Sequence, residues 1–386
     1  MAVWKRTWKT RGGEVREAWC FEYVAADGRR HLRTSKTKKE AVALEGRTKI
    51  DVSDGVHVVP DKKLTVASAA QNWLGASRAL ELERSTLDQY RQHVEFHIDP
   101  LIGLVKLSDI NVPTVRKFED RLRKEDRSNA MIGKVMTSLG SILADAQERG
   151  QLAKNPVRDL RRNRRRKQQN TEKRKRKLTV GVDIPSPDEI KSILADAQGR
   201  WRPLLITAVF TGLRASELRG LRWMDMNLKV SELHVRQRAD RYNEIDVPKS
   251  EAGHRTVPLP RIVVNTLREW KLACPKSDLG LVFPNGKGNV ESLGNIINRG
   301  LIPVQLRAGI VTKEGRAKYT GLHSLRHWFA SWCINREQDG GLGLPPKNTQ
   351  ELLGHANIAI TLDRYGHLFK AEENGGLDKA ANTLLG

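Results

Sequence analysis

Cysteine is scarce in this chain. Three of its 386 residues are cysteines, no two of them form a CxxC pair, and they lie far apart, at Cys20, Cys274 and Cys333. This distribution excludes a disulfide framework and a cysteine-rich zinc site, and it is typical of a protein in a reducing cytoplasm. We interpret all three as packing or surface residues.

Long hydrophobic runs are also absent. The sequence has no stretch of 18 apolar residues, which excludes a membrane-spanning helix, and its N-terminal stretch MAVWKRTWKTRGG lacks the apolar core of a signal peptide. It has no GxxxxGK(S/T) phosphate loop and no acidic cluster that would hold a pair of Mg²⁺ ions. We therefore predict a cytoplasmic protein that uses no cofactor and has no membrane partner.

Acidic residues are too few to balance the basic ones. The chain has 45 Asp and Glu against 68 Lys and Arg, a formal net charge of +23, while its 39% of hydrophobic residues suffices for packed cores. A charge this large indicates a polyanionic partner, with nucleic acid as the first candidate and an anionic membrane as the second, which the lack of a long apolar run disfavours. At this length, two or three domains are expected.

The first 60 residues have the pattern of a small β-domain. One strand is predicted from Val3 to Thr10 and two more flank the turn dipeptide Asp27-Gly28, followed by a helix in KTKKEAVALEGRTK. We predict a domain over residues 1–60 with a three-stranded sheet plus one helix. Its basic face suits DNA. The tryptophans either join that face or pack the core, and we favour the core for at least one of Trp4, Trp8 and Trp19.

The rest of the chain is predicted to be mainly helical. Residues 64–160 show apolar stripes at i, i+3, i+4 spacing and form an all-α domain of four or five helices, whose basic faces are either solvated or in contact with DNA. Residues 161–177 contain eleven Lys and Arg and one acidic residue, so we predict an extended basic linker over 161–183. Residues 184–386 form an α-rich domain with a small antiparallel sheet. The fold class is multidomain and predominantly α (α+β).

Two motifs offer cationic groups that suit a phosphate. In TGLRASELRGL, Glu217 lies three residues after Arg214 on a helix, so the pair is either a common surface ion pair or a device that aims the guanidinium at phosphate. In VPKSEAGHRTVPLP, Lys249 lies at the tip of a predicted hairpin whose return strand is Arg255 to Leu259. A tip lysine is usually solvated, and the alternative is proton donation to a departing alkoxide.

Two further motifs add histidines, an arginine and a tyrosine. In GLHSLRHWFAS, His323 and Arg326 share a helix face, while His327 points elsewhere. In LLGHANIAITLDRYGHLF, His355 follows a helix end and Tyr365 lies ten residues later. Each pattern alone also fits an ordinary helix with a polar side. A tyrosine becomes a nucleophile when cations lower its pKa or a base takes its proton.

Together these residues meet the needs of phosphoryl transfer. Arg214, Arg326 and the histidines would stabilise the equatorial oxygens, Tyr365 would attack, and Lys249 would supply the proton for the leaving oxygen. The consistent hypothesis is a metal-free and nucleotide-free attack on a phosphodiester. Such an attack conserves the bond energy in a phosphotyrosine link, so rejoining needs no ATP.

Four segments in this order resemble the tyrosine recombinases of the phage integrase family: TGLRASEL, PKSEAGHRTVPL, HSLRH and LLGHANIAITLDRYGH. Each segment is short, but their joint occurrence, order and spacing are highly specific, and they cover about the C-terminal half of the chain. The resemblance implies that Arg214 and Arg326 bind the scissile phosphate. It also implies that His323 is an acid/base and phosphate ligand, and that His355 is the second histidine of the family.

The same resemblance assigns the remaining roles. Lys249 matches the lysine that protonates the 5′ oxygen, Tyr365 matches the nucleophile that forms a 3′-phosphotyrosine, and Glu217 matches an acidic position with a structural role. The sequence departs from the family pattern at none of these positions. The implied catalytic domain is 184–386.

The resemblance also implies partners. Residues 64–160 resemble a core-binding domain and residues 1–60 an arm-type DNA-binding domain, so the expected partner is double-stranded DNA with core-type and arm-type attachment sites. Relatives act as homotetramers in bacterial cells and exchange a C-terminal segment, here KAEENGGLDKAANTLLG, which alternatively packs on its own subunit. The need for an excisionase and for a host DNA-bending protein stays open.

The predicted function is site-specific integration, and excision, of a phage or mobile element. One alternative is a type IB topoisomerase, which has no use for two kinds of binding site. A second is a catalytically silent DNA-binding regulator, which has no use for the six catalytic residues. Relatives that resolve chromosome dimers usually lack the N-terminal extension, and this favours integration over resolution.

Overall fold

The computed structural model describes residues 3–10, 12–25, 28–53, 63–168 and 177–369. The chain divides into two compact units, Met1–Lys173 and Arg174–Gly386. The division falls inside the segment 161–183 that the sequence marks as a linker. None of the helices in the described ranges combines the length and the apolar character that a membrane crossing needs.

The N-terminal part is a three-stranded antiparallel sheet followed by a helix, as predicted. Strands β1 (Trp4–Lys9), β2 (Val15–Val24) and β3 (Arg30–Ser35) lie in the order β1-β2-β3, and helix α1 spans Lys38–Ser53. In the turn before β3, Gly28 has a φ of +74°. Asp27, the other residue of the predicted turn dipeptide, lies outside the described residues.

The core of this part differs from the prediction in one respect. Phe21 and Tyr23 are buried and pack with Leu44 and Val52 of α1, because they are on the sheet face that the helix covers. Trp19 is on that face too, but it is only half-buried beside Lys38. Trp4 and Trp8 are each 39% exposed, so neither packs the core.

Residues 63–168 form six α-helices, one more than the upper end of the predicted range. Thr65, Asn111 and Ser128 cap three of the N-termini through their side chains, which fixes where these helices begin. Residues 66–74 form one apolar stripe of the predicted spacing, and it is buried against helix α6. The helices are α2 (Val66–Ala79), α3 (Arg84–His93), α4 (Asp99–Ile102), α5 (Val112–Lys124), α6 (Asn129–Glu148) and α7 (Pro156–Gln168).

The prediction that the basic block is extended chain is wrong for residues 161–168. Helix α7 continues through 161–168 because Val157 and Leu160 anchor its first turns in the core, and Arg161 donates a hydrogen bond to Thr137 Oγ1 at 2.7 Å. Residues 169–176 lie outside the described ranges.

The second unit is α-rich with short antiparallel strands, as predicted. A capping box between Ser186 and Glu189 starts its first helix. The helices are α8 (Pro187–Asp196), α9 (Trp201–Thr211), α10 (Ala215–Arg219), α11 (Arg261–Ala273), α12 (Leu293–Asn295), α13 (Ile302–Arg307), α14 (His323–Ile334), α15 (Pro346–Leu353) and α16 (Ile358–Tyr365). The strands are β4 (Met226–Asn227), β5 (Glu232–Val235), β6 (Arg238–Ala239), β7 (Ile245–Asp246) and β8 (Arg255–Pro258).

The strands on either side of Lys249 do not pair with each other, so the predicted hairpin is wrong. Strand β7 pairs with β6, whereas β8 pairs with β5 in the three-stranded sheet β4-β5-β8. Buried Arg238 holds the end of β7, donating to the Val247 carbonyl at 3.0 Å and to Asp246 at 2.9 Å. Val257 of β8 instead sits in the main core. Lys249 therefore lies on a connection between two sheets.

Helix α9 ends at a glycine that the packing requires. Gly212 adopts a φ of +59°, and a Cβ atom on it would lie 2.2 Å from Phe329 Cδ1 of α14. No side chain fits there without moving the phenylalanine, so the C-terminus of α9 lies directly against α14.

We predict that Gly212→Ala destabilises the protein more than Gly309→Ala does. Gly309 has a similar φ of +71°, but a Cβ atom on it would meet nothing within 4 Å. The control therefore loses only about 1–2 kcal/mol for the left-handed backbone. Gly212→Ala adds about 1–3 kcal/mol of overpacking. Thermal unfolding of the two variants checks this, and equal losses would contradict the close contact.

Candidate active site

A buried carboxylate organises the start of α10. Arg214 precedes this helix and donates to Glu217 twice, from its backbone N–H at 2.9 Å and from Nη1 at 2.7 Å. The predicted pair is therefore formed. Glu217 is 3% exposed, so this is not the common surface ion pair.

Arg255 completes this ion cluster, and no sequence pattern had marked it as a site residue. Arg255 of β8 donates to both Glu217 oxygens, at 2.8 and 3.2 Å, and to the Leu352 carbonyl at 2.7 Å. Burial alone would raise the pKa of the Glu217 carboxyl, but the nearby guanidinium groups, led by Arg255, lower it to about 2. The carboxylate therefore stays ionised between its two arginines.

Arg326 of α14 is buried among backbone carbonyls. It is 2% exposed, and it donates to the carbonyl oxygens of Gly212 and Leu353, both at 2.6 Å. Arg214 donates in the same way to the Gly354 carbonyl at 2.8 Å. These carbonyls lie at the C-terminal ends of α9 and α15, where unpaired C=O groups carry partial negative charge. Burial, followed by the charge of Arg214, lowers the pKa of Arg326 to about 9.

Both arginines keep hydrogen-bonding capacity for an anion. Each terminal nitrogen of a guanidinium carries two hydrogens, so a nitrogen that donates one to a carbonyl still has a second to donate. The helix-end carbonyls thus fix the planes of Arg214 and Arg326 without using all of their donors. Two oriented guanidinium groups in a partly dehydrated site suit the non-bridging oxygens of a phosphodiester.

His355 lies just after the C-terminal end of α15, whose carbonyls the two arginines contact. Gly354 ends α15 with a φ of +63°, and His355 comes next, buried, with its Nδ1 2.9 Å from Thr361 Oγ1. A Cβ atom on Gly354 would lie 2.7 Å from the Ala252 carbonyl. The turn that carries Lys249 therefore packs against the residue before His355, while the Lys249 side chain is exposed.

His323 and Tyr365 lie on facing helices. His323 is exposed, and its Nε2 is 3.4 Å from Arg364 Nη1 of α16. Partial desolvation of the ring, followed by the charges of Arg326 and Arg364, lowers the pKa of His323 to about 4. Tyr365 is 1% exposed, and burial raises the pKa of its hydroxyl to about 12, although the same two arginines partly oppose the rise.

The prediction that His327 points away from His323 and Arg326 is wrong. Its Nδ1 lies 2.6 Å from the Tyr365 hydroxyl oxygen, and its ring lies edge-on to that of His323, with ring centroids 4.5 Å apart. The two histidines are one helical turn apart, and this i, i+4 spacing was the available signal. Burial, followed by His323 and Arg364, lowers the pKa of His327 to about 3.

The structure thus brings most of the singled-out residues into one place. Glu217 binds Arg214, and the carbonyls that hold Arg214 and Arg326 directly precede His355 or end α9. His327 of the same helix as Arg326 contacts Tyr365, and the turn of Lys249 packs against Gly354. Such a constellation can hold a phosphate between guanidinium groups and present a tyrosine hydroxyl as nucleophile. The C-terminal segment KAEENGGLDKAANTLLG lies outside the described residues.

Comparison with known proteins identifies the family. The model of the Phage integrase family matches residues 186–372. A tyrosine recombinase XerC-like protein of Caldanaerobacter subterraneus is 28% identical over 91% of each chain. The tyrosine recombinase XerC of Xylella fastidiosa is 31% identical over 73% of this chain and 86% of its own. The chain belongs to the phage integrase family of tyrosine recombinases, which confirms the resemblance that its motifs indicated.

Solved structures share the fold. The Tn1549 transposon integrase, in complex with a circular intermediate DNA, matches with a TM-score of 0.64 at 19% identity, covering 83% of this chain and 100% of its own. A lambda integrase tetramer bound to a Holliday junction matches with a TM-score of 0.56 at 16% identity, covering 91% of this chain and 95% of its own. The predicted fold class is confirmed.

We predict that the protein loses stability on mild acidification. The pKa values of buried His327 and His355 are both about 3, against about 6.5 in an unfolded chain. Below pH 6.5 the unfolded chain therefore binds protons that the folded protein does not. Each of the two histidines lowers the free energy of unfolding by up to about 1.4 kcal/mol per pH unit.

Thermal unfolding at pH 7 and at pH 5 checks this expectation. The melting temperature of the wild type should fall, and His355→Asn should show a smaller fall because one titrating group is gone. An identical pH dependence for the two proteins would contradict the burial of a neutral His355.

Proposed function

We propose that this protein is a site-specific DNA recombinase that cuts and rejoins DNA through a 3′-phosphotyrosine intermediate, and that it integrates and excises a phage or mobile element. The observation that carries the proposal is that Glu217 and helix-end carbonyls orient Arg214 and Arg326, and that the charge of Arg326 acts on the buried hydroxyl of Tyr365. Family membership supports the same chemistry. The catalytic set is Arg214, Lys249, His323, Arg326, His355 and Tyr365, with Glu217 as structural support.

The positions of these groups support the following reaction. Arg214 and Arg326 bind the non-bridging oxygens of the scissile phosphate and stabilise the charge that develops on them. Oη of Tyr365 attacks phosphorus in line, the bond from phosphorus to the 5′ oxygen breaks, and Lys249 gives that oxygen a proton. The phosphotyrosine conserves the bond energy, so a 5′-hydroxyl of a partner strand rejoins the DNA by attacking it without ATP or a metal ion.

Neutral histidines complete the phosphate site. The pKa values of His323 and His355 are about 4 and about 3, so both imidazoles are uncharged at pH 7 and act as hydrogen-bonding groups. Each neutral ring has one N–H donor and one acceptor nitrogen. His355 accepts from or donates to Thr361 through Nδ1, which leaves Nε2 for the phosphate.

The other parts of the chain bind DNA. Residues 64–160 form a core-binding domain, 161–183 a basic linker and 184–386 the catalytic domain. Residues 1–60 form an arm-type DNA-binding domain. The protein acts as a homotetramer on core-type and arm-type sites in the cytoplasm of a bacterial host, and an excisionase and a host DNA-bending protein are its candidate partners. A tetramer is the form of the lambda integrase with a similar fold.

The outer face of the N-terminal sheet is the surface we assign to arm-site DNA. Side chains alternate along a strand, so Trp4, Arg6 and Trp8 share one face, and the pairing of β1 with β2 adds Arg16 to it. All four are exposed, and α1 covers the opposite face. Cations with interleaved aromatic side chains suit a DNA backbone and its groove edges.

We predict that Tyr365→Phe binds its core site but forms no covalent complex. Nicked duplexes that carry a candidate attachment core are incubated with the protein in EDTA without ATP, and the products are separated on a denaturing gel. Wild type should give an adduct whose linked peptide contains Tyr365. Tyr242→Phe is the matched control and should react like wild type.

The outcomes separate the candidate functions. An adduct formed by Tyr365→Phe would exclude Tyr365 as the nucleophile. Tight binding by wild type on a verified site, without any adduct, would favour the regulator. An adduct with relaxation of supercoiled DNA that carries no attachment site would favour the type IB topoisomerase.

We predict that Arg6→Ala with Arg16→Ala weakens binding to arm-site DNA and leaves core-site cleavage unchanged. Loss of two phosphate contacts should lower the slope of log affinity against log salt by about two. The control is Lys5→Ala with Lys9→Ala, which removes the same charge from the face that α1 covers.

Equal arm-site binding by the two double variants would contradict the assignment of the outer face. Deleting residues 1–60 extends the test to the whole domain: core cleavage should remain and integration should be lost. Integration at the wild-type level by the truncated protein would contradict the arm-binding role.

A further inference from the structure

One short buried contact to which the family resemblance gives no role joins His327 to Tyr365. His327 Nδ1 and Tyr365 Oη are 2.6 Å apart, and both side chains are buried, at 8% and 1% exposure. His327 lies next to Arg326 in the chain and one helical turn from His323. Its partner is thus the atom that would attack phosphorus.

We propose that His327 is a further catalytic residue, which accepts the hydroxyl proton of Tyr365 as Oη attacks the scissile phosphorus and returns that proton on rejoining. This inference rests on the proposed function and deepens it. It assigns the proton of the tyrosine to the histidine that contacts the hydroxyl, whereas the family resemblance gives an acid/base role to His323.

The two other histidines of the site make different contacts. His323 directs its Nε2 toward Arg364 at 3.4 Å, and His355 directs its Nδ1 toward Thr361 at 2.9 Å. Within the described part of the chain, His327 is the hydrogen-bond partner of the Tyr365 hydroxyl. A general base must lie within about 2.6–3.2 Å of the group it deprotonates, and His327 satisfies that distance before DNA is bound.

The charges around His327 suit a base that becomes effective when DNA binds. After burial, the groups that lower its pKa are His323, Arg364 and Arg326, while Asp183 acts in the opposite direction. The imidazole is therefore neutral, and a lone pair can face the hydroxyl. A bound phosphodiester brings negative charge next to the arginines, which offsets their effect and makes proton acceptance by the imidazole more favourable.

The proton balance of the cycle is then complete. During cleavage the bond from Oη to phosphorus forms, the Oη proton moves to Nδ1 of His327, and the departing 5′ oxygen takes a proton from Lys249. During rejoining a 5′-hydroxyl attacks phosphorus and gives its proton to Lys249. Tyr365 leaves and recovers its proton from the imidazolium of His327. Lys249 and His327 therefore both end the cycle in the protonation states in which they began.

The test compares His327→Ala and His327→Asn in single-turnover cleavage of nicked duplex at saturating protein. The amide of asparagine can occupy the position of Nδ1 and keep a hydrogen bond, but it cannot accept the proton. Both variants should form the Tyr365 adduct about 10²–10⁴-fold more slowly than wild type. His234→Ala is the control, because His234 also places Nδ1 against a hydroxyl, that of Thr256 at 2.9 Å, and it should cleave like wild type.

A second substrate separates the base from the acid. With sulfur in place of the bridging 5′ oxygen, the leaving group departs as a thiolate and needs no proton. This substrate should restore cleavage by Lys249→Ala and should not restore cleavage by His327→Asn. Rescue of His327→Asn would place His327 on the leaving-group side and overturn the proposal.

The remaining outcomes are also decisive. A near-wild-type rate for His327→Asn alone would show that His327 only orients the tyrosine, and a near-wild-type rate for both variants would remove it from the reaction. A wild-type protein that forms no adduct on a verified site would instead contradict the proposed function.

An NMR measurement that needs no catalysis distinguishes loss of the His327 contact from a folding defect. The ¹³Cζ resonance of Tyr365, assigned with Tyr365→Phe, should shift in His327→Ala and stay in place in His234→Ala. An unchanged resonance in a folded His327→Ala protein would contradict the contact itself.

Discussion

The ion cluster around Glu217 is the interaction on which the rest of the site depends. One buried carboxylate binds Arg214, from the start of α10, and Arg255, from β8, so it joins the helical and strand portions of the unit at the proposed phosphate site. Without it, the half-buried Arg214 and the buried side chain of Arg255 would repel each other, and Arg255 would be dehydrated without a counter-charge. With it, Arg255 neutralises the carboxylate and Arg214 is held in one orientation, which leaves a net positive charge for the substrate.

Two glycines connect this cluster to the catalytic helices. Gly212 and Gly354 adopt left-handed conformations that end α9 and α15, and the carbonyls at these ends accept hydrogen bonds from Arg326 and Arg214. Helix termini normally leave such carbonyls to water. Here they hold guanidinium groups, and the close approach of Gly212 to Phe329 sets the distance between α9 and α14. Fold stability and the proposed phosphate recognition therefore rest on the same few residues.

Local patterns predicted much of this arrangement, and long-range contacts account for what they missed. The i, i+3 spacing of Arg214 and Glu217 was visible because it acts within one helical turn. The contact of Arg255 with Glu217 joins residues 38 positions apart, and no spacing rule reveals it. The pairing of β7 with β6 likewise depends on the buried side chain of Arg238. His327 was within reach of the sequence, since it follows His323 by four residues, but its partner Tyr365 lies on another helix.

The central claim is that Arg214 and Arg326 form an anion site for the scissile phosphate. Anomalous diffraction from crystals of the DNA-free protein soaked in tungstate with EDTA tests it directly, because tungstate mimics a phosphate and needs no knowledge of the attachment sites. We expect a tungstate peak in contact with both guanidinium groups and near His355, which disappears in Arg326→Ala crystals. Peaks elsewhere on the basic surface, with none between these arginines, would contradict the claim.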